Sequence, residues 1–350
     1  MTGSAGIIKP GLERIFILLK YLGNPQEKFS SIRIAGTNGK GSTAYFLNSV
    51  LIKTGATTGL YTSPHIRKPE ERIRVSNALY EGDLLHDMGE LEKSVLSSLP
   101  KLLRDRPTFF ELATAVALDY FRQKRVDVAV LETGLGGRLD ATAIAGNIGD
   151  VLTDVSLDHT EYLGNSIEEI LLEKIGHVKG MFLVSSSLPH YLGNLVKNRC
   201  KKTGCHLSVL GRNFFFEKLG NGAFNFTSNS VTLKKLWKTS PGDFQYRNAA
   251  IAAAAALKLG DHCRIEFEKL STAIREGIKQ TCIPARFEMV SNDPLVLLDV
   301  GHNYLSSWTL RHELVKMRRE NGHKTVCVFT MMRNRNPVPF LKSLLGVTDL

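Results

Sequence analysis

Short apolar runs alternate along this chain with longer stretches in which apolar side chains recur every three or four positions. The runs at 31–35 (SIRIA), 57–62 (TTGLYT), 127–133 (DVAVLET), 150–156 (DVLTDVS) and 180–186 (GMFLVSS) are compact and bounded by turn residues, which predicts buried strands. Helical spacing predicts helices over 42–54, 83–98, 108–123, 166–177, 189–203 and 246–259. Strands and helices in alternation predict an α/β fold: a mostly parallel sheet flanked by helices. One stretch departs from that rhythm. Residues 213–236 read as antiparallel β with turns at Gly220 to Gly222. A second unit is expected from 294, with a strand in DPLVLLDVGHN, a helix in YLSSWTLRHELVKMRREN and a strand in KTVCVFT. The expected division is a central domain over 1–293 and a partial C-terminal α/β domain over 294–350, which at about 55 residues is short for an independent unit.

Composition narrows the setting. Of the 350 residues, 43% are hydrophobic and 23% charged, the balance of an ordinary globular protein. The longest apolar stretch, AAIAAAAAL (249–257), is too short to span a bilayer, and the opening residues lack the apolar core of a signal peptide. Five cysteines without metal-ligand spacing suit a reducing compartment, so a cytoplasmic protein without membrane attachment is expected. A net charge of +11 favours an anionic partner. The basic residues are scattered and no nucleic-acid motif stands out, which leaves a polyanionic small molecule or a plain solvated basic surface.

The candidate chemistry begins at GTNGKGST (36–43), directly after the first predicted strand. The common phosphate loop is G-x-x-x-x-G-K-[ST]. Here Gly36 precedes Gly39-Lys40 by only three positions, and Gly41 separates Lys40 from Ser42. A strand, a glycine-rich turn and a helix start still make an anion site, because free backbone N–H groups and the helix dipole face one point. Gly36, Gly39 and Gly41 let the main chain approach closely, Lys40 can reach terminal phosphates, and Ser42 or Thr43 can meet a metal ion. Thr37 and Asn38 complete the loop. A structural turn that happens to contain a lysine remains an alternative at this level.

Further motifs resolve that choice. AGTNGKGST is followed by LYTSPH (60–65), ERIRVS (71–76), TFFELATAVALDYF (108–121), VAVLETGLGGRLDAT (128–142), TDVSLDHTEYLG (153–164), EEILLEKIGHVK (168–179), FQYRNAAIA (244–252), PARFE (284–288) and DVGHN (299–303). Together these closely resemble the folylpolyglutamate synthase/dihydrofolate synthase family of the Mur-ligase superfamily, in the family's order and across nearly the whole chain. The resemblance implies a P-loop central ATPase domain joined to an incomplete Rossmann-like C-terminal domain. It implies an ATP-dependent ligase that adds L-glutamate to a folate, or to dihydropteroate, through an acyl phosphate, with ATP and Mg2+, one ion or two, as cofactors. A monomer is expected.

The resemblance also implies roles for single residues. Glu132, His159 and Ser63, with Ser42, would hold magnesium. Asp158 would orient His159. Ser63, Pro64 and His65 lie in a loop that would approach the folate. Lys174 matches a lysine that is carbamylated in much of the family and helps hold a second ion, although Ile175 and His177 replace the usual Ala and Ile beside it. Asn248 would meet the adenine edge, Arg286 a phosphate, Asp299 the ribose, and His302 the phosphate or glutamate region. Lys40, Lys174 and His302 are the candidate catalytic side chains. In isolation each has a blander explanation: a strand terminus for Glu132, a Ser-Pro turn for Ser63, a surface charge for Lys174, a helix N-cap for Asn248.

The pattern breaks in places. Phe244 replaces a histidine before Gln245, and Val300 a small residue. In VFTMMRNRN (328–336), Thr330 stands for a glycine, and Asn334 and Asn336 for acidic residues. The C-terminal domain is expected to be cut short. A catalytically impaired nucleotide- or folate-binding member, or a fragment, is therefore the alternative to an active ligase. A kinase reading fits least, since it leaves GLGGRLDAT, DHTEYLG and DVGHN unexplained.

Overall fold

A computed structural model of the chain describes residues 9–99, 105–229, 231–322, 324–331 and 336–349. Eight strands form the central sheet: β1 (Ser30–Ala35), β2 (Thr58–Tyr61), β3 (Ile73–Val75), β4 (Ala78–Leu79), β5 (Val128–Glu132), β6 (Asn147–Leu152), β7 (Phe182–Ser185) and β8 (His206–Val209). Their order is β4-β3-β2-β5-β1-β6-β7-β8. The six strands from β2 to β8 in that order run parallel, and β3 and β4 add an antiparallel hairpin at one edge. The mostly parallel α/β expectation matches this sheet.

Strand order matters for the site. The chain lays β5 on one side of β1 and β6 on the other. Crossovers that leave in opposite directions open a crevice at the carboxyl ends of the strands between them, the usual place for a ligand in an open α/β sheet. The segment immediately after β1 is the 36–43 loop.

Alternating side chains supply both faces of the sheet with apolar surface. On one face Ile32, Ile34, Val130, Val151 and Val184 pack against the helices Lys40–Lys53, Phe244–Cys263 and Phe267–Gln280. On the other, Ala129 and Leu131 meet the helices Glu13–Tyr21, Leu84–Ser98 and Phe109–Gln123, while Leu152 and Leu183 meet Ile167–Ile175 and His190–Thr203. The alanine run Ala252–Ala256 is buried on all sides of its helix, which keeps that helix close to its neighbours. Gly277 serves the same end, since a Cβ there would lie 2.5 Å from the Val50 Cα.

One polar cluster is sealed inside. Arg33 of β1 donates to the His177 carbonyl at 2.9 Å and lies 3.4 Å from Asp150 Oδ1, which is itself 3.2 Å from His177 Nε2. Buried charges of this kind persist only when paired. Arg33 thereby ties the strand that feeds the loop to the segment just after the helix carrying Lys174.

Two smaller sheets lie beside the central one. β9 (Phe214–Gly220), β10 (Ala223–Ser228) and β11 (Thr232–Trp237) form the expected antiparallel sheet. β12 (Arg286–Asn292) and β13 (Leu295–Asp299) pair as an antiparallel hairpin, so residue 294 falls in its turn. The helix Tyr304–Asn321 comes next, as expected, and a small cluster of Leu314, Phe340, Leu344 and Val347 gathers behind it.

Some expectations are corrected. Residues 324–330 carry no strand, because no neighbouring strand pairs with them among the described residues. β6 spans 147–152 rather than 150–156: Thr153 to Ser156 leave the ladder to hold the 36–43 loop. The helices Glu13–Tyr21 and Phe267–Gln280 and the strands β3, β4, β8 and β12 were not predicted. Asn334 lies outside the described residues, and the Asn336 side chain accepts from the Val338 N–H at 3.0 Å.

No helix among the described residues is long and apolar enough to cross a membrane.

Candidate active site

Residues just beyond β6 anchor the 36–43 loop. The Thr37 N–H donates to the Asp154 carbonyl at 2.7 Å, the Asn38 N–H to Asp154 Oδ1 at 2.6 Å, and Thr153 Oγ1 to the Asn38 carbonyl at 2.6 Å. Arg247 Nη2 holds the other Asp154 oxygen at 3.2 Å. Glycine is required at two points. A Cβ on Gly36 would collide with Thr153 Oγ1, and Gly39 has φ +84°, with its absent Cβ 2.7 Å from Asn248 Oδ1. The helix Lys40–Lys53 starts immediately after Gly39 with no side-chain cap, which leaves its first N–H groups to an anion.

This loop forms one wall of a cavity of about 500 Å3. Gly36, Thr37, Asn38, Gly39, Lys40, Gly41 and Ser42 all line it. So do Ser63, Pro64, Glu132, His159 and Lys174 from the sheet side. Asn248, Arg286, Asp299 and His302 close it from the far side. Thr43 and His65 do not reach it. Thr43 is fully buried, its hydroxyl without a hydrogen-bond partner among the described residues. His65 accepts from Arg72 Nε at 2.9 Å and stands behind that guanidinium, which does line the cavity.

The cations are placed unlike surface charges. Lys40 Nζ turns back on its own loop, donating to the Gly36 and Thr37 carbonyls at 3.1 and 2.9 Å. Lys174 is only 3% exposed, and its Nζ donates to the Gly36 carbonyl at 2.7 Å. Burial, helped by the charge of Lys40, brings its pKa down to about 7. A surface-charge reading of Lys174 does not survive that placement.

Donors for a divalent cation occur at two places on the wall. Glu132, the last residue of β5, is buried and accepts from the Ser63 N–H at 2.9 Å. Its carboxylate faces Gly41, whose absent Cβ would sit 3.3 Å both from Glu132 Oε2 and from Arg286 Nη2. Burial pushes this carboxyl above its ordinary range, while Lys40 and Arg286 pull it back. At the second place, Asp158, His159 and His302 bring one ligand atom each within 4.8 Å of one another. Oxygen donors at the first suit a hard ion such as magnesium, and the second is a mixed oxygen and nitrogen set.

Asn248 is not an N-cap. Its helix starts at Phe244, and its Nδ2 donates to Gln245 Oε1 at 2.9 Å while Oδ1 overhangs Gly39. Asp299 accepts from the N–H groups of Phe287 and Gly301, at 2.8 and 2.7 Å, which binds β13 to the start of β12. His302 Nδ1 lies 3.0 Å from the Val300 carbonyl.

Sequence reasoning missed several lining residues. Arg247 and Asp154 brace the loop, and Arg72, Phe110 and Glu111 extend the cavity away from it. Arg247 directly precedes Asn248, so its neighbour was the available signal. Asp140 organises the 134–142 turn by accepting from the N–H groups of Gly134, Leu135 and Thr142.

A phosphate loop at the switch point of a mostly parallel sheet, with buried carboxylate and lysine beside it and a C-terminal segment closing the far wall, defines a nucleotide-dependent enzyme of the P-loop α/β class. No family profile matches the chain. Among curated proteins it is 36% identical over 296 residues to the folylpolyglutamate synthase of Lacticaseibacillus casei, spanning 83% of this chain and 69% of that protein. It is 32% identical over 345 residues to the dihydrofolate synthase/folylpolyglutamate synthase of Bacillus subtilis, spanning 96% of this chain and 79% of the relative. Among solved structures, an FPGS-AMPPCP-folate complex superposes with a TM-score of 0.89 at 31% identity, covering 99% of this chain and 85% of that one. The Escherichia coli FolC in complex with DHPP and ADP gives 0.82 at 29% identity, covering 98% and 78%. The chain belongs to the folylpolyglutamate synthase/dihydrofolate synthase family.

Proposed function

We infer that this protein is an ATP-dependent carboxylate-amine ligase that joins L-glutamate to a folate or to dihydropteroate. Family membership and the 36–43 loop at the mouth of the cavity support that reading, and the loop is the observation that carries it. A carboxylate is a poor electrophile until an oxygen becomes a leaving group. In the reaction, a carboxylate oxygen of the acceptor attacks the γ-phosphorus of ATP, the bond to ADP breaks, and an acyl phosphate forms. The glutamate nitrogen then attacks the acyl carbon, phosphate leaves with its electron pair, the nitrogen loses a proton, and an amide remains.

The roles proposed for this chain's residues start at the loop. The free N–H groups at the start of helix Lys40–Lys53 hold phosphate oxygens, and Lys40 leaves the Gly36 and Thr37 carbonyls to meet the terminal phosphate. Arg286 offers a planar fork to the same oxygens. Asn248 and Asp299 are assigned to the nucleotide, and His302 to the face from which glutamate approaches. Ser63 and Pro64 stand between the loop and the acceptor. Phe110 and Glu111 provide a ring face and a carboxylate, a combination that suits a flat hydrogen-bonding heterocycle.

Glu132, with Ser42 and Ser63, and His159, with Lys174, would hold magnesium. The ion would neutralise phosphate charge as the two anionic substrates meet. Lys174 suits carbamylation chemically: the reaction needs a neutral amine, and a pKa of about 7 leaves a large neutral fraction at neutral pH. Its nitrogen would attack carbon dioxide and lose a proton, giving a carbamate in place of a buried cation. The C-terminal segment from 294 is proposed to belong to a Rossmann-like domain, and a reducing cytoplasm as the setting.

The test offers dihydropteroate or a tetrahydrofolate in turn, with ATP, magnesium and labelled glutamate. Label in an amide product with one acceptor names the substrate class. ATP binding without product from either acceptor contradicts the ligase reading.

A further inference from the structure

Asn303 closes the DVGHN motif and begins the helix Tyr304–Asn321. Every donor and acceptor of its side-chain amide is engaged. Oδ1 accepts from the Ser306 N–H at 2.9 Å, which caps the helix, and from Asn38 Nδ2 at 3.3 Å. Nδ2 donates to Asn38 Oδ1 at 3.0 Å and to Asp158 Oδ2 at 3.2 Å. The residue is 8% exposed. A side-chain amide has two N–H donors and two acceptor lone pairs, so these four bonds exhaust it.

A helix cap needs one acceptor, which serine or aspartate supplies equally well. The other three bonds point away from the helix, and the two that Nδ2 donates need an amide. They reach the phosphate loop through Asn38, and the 153–159 segment through Asp158. Asn38 is itself held rigidly, its N–H on Asp154 and its carbonyl on Thr153. The loop, the segment bearing His159 and the C-terminal helix therefore meet at one amide pair. His302, which lies with Asp158 and His159, is the residue just before it.

We propose that the reciprocal Asn38–Asn303 amide pair is a clasp that sets the C-terminal segment, and His302 with it, against the phosphate loop. Asn303 is a positioning residue: it acts through the loop and through His302, on turnover rather than on nucleotide affinity. The effect on turnover rests on the proposed ligase activity. The clasp itself does not.

Two measurements on the intact protein separate these. The first is amide hydrogen exchange over 299–306 in Asn38→Ala, whose altered side chain is distant in sequence. Exchange there should rise about fivefold or more while 310–320 stays as in wild type. Unchanged exchange over 299–306, or a rise throughout the helix, overturns the clasp. The second is ligation kinetics in Asn303→Ser, which keeps a capping acceptor, alone and combined with Asn38→Ala. A drop in kcat of about tenfold or more with KM for ATP within about threefold is expected, and the double variant should be no worse than about threefold below the weaker single one. Wild-type kcat in Asn303→Ser, or losses that multiply in the double variant, overturns the positioning role. If wild type forms no amide at all, the functional reading fails while the exchange result still judges the clasp.

Discussion

Lys174 Nζ donates to the Gly36 carbonyl at 2.7 Å, so a buried amine and the first residue of the phosphate loop are held together. Burial at that spot, with the charge of Lys40 from the same loop beside it, sets the protonation of Lys174. Its pKa in the fold, about 7, lies far below that of an unfolded chain.

This shift makes stability depend on pH. Between about pH 7 and the ordinary lysine range near 10.4, the unfolded chain binds a proton at this position that the folded chain has released. Stability contributed through Lys174 therefore rises with pH across that window and is flat below it. In buffer free of carbon dioxide, where the amine is unmodified, urea midpoints of wild type and Lys174→Met should differ less in favour of the variant at pH 9 than at pH 6.5. A difference independent of pH would contradict the burial argument.

Glu132 gives the opposite sign. Its folded pKa is raised, so the folded state holds a proton more firmly and stability through this group falls as pH rises above the ordinary carboxyl range. Glu132→Gln should be more stable than wild type at neutral pH, the gain shrinking toward pH 4, and lose about a hundredfold or more of ligase turnover. Thermal or urea unfolding and the ligation assay check the two halves separately.

The sealed cluster predicts a structural loss. Asp150→Asn leaves the Arg33 guanidinium buried without its counter-charge and should cost about 3 kcal/mol in urea unfolding. A change below about 0.5 kcal/mol would mean that the charge is compensated elsewhere.

Lys40→Ala should abolish ATP turnover while the melting temperature stays within a few degrees of wild type: among the described residues its amine hydrogen-bonds to two loop carbonyls, and losing its charge takes a partner from Glu132 while relieving Lys174. Turnover near wild type would sink the loop assignment.

Much of this fold and site was legible in the sequence. The buried strands β1, β2, β5 and β7 announced themselves as apolar runs, because both faces of a parallel sheet are covered. The exposed pair Ala78–Leu79 carries no such run, and its place is set by pairing with β3. Residues 324–330 have the composition of a strand, but a strand also needs a neighbour. The loop and its glycines were readable, as were Glu132, His159 and Lys174 through the family motifs. Thr43 was misplaced because the first helical turn rotates it inward, and His65 because Arg72 stands in front of it. Asn303 was hidden for a different reason. Its partners Asn38 and Asp158 are remote in sequence and meet it only once the loops fold together.

The central claim is an acyl-phosphate ligase, and oxygen transfer tests it directly. With the accepted folate or pteroate labelled in its reacting carboxylate with 18O, each turnover should place one labelled oxygen in the released inorganic phosphate, alongside ADP and the glutamyl amide. Phosphate free of label, or label recovered in AMP, would contradict the account.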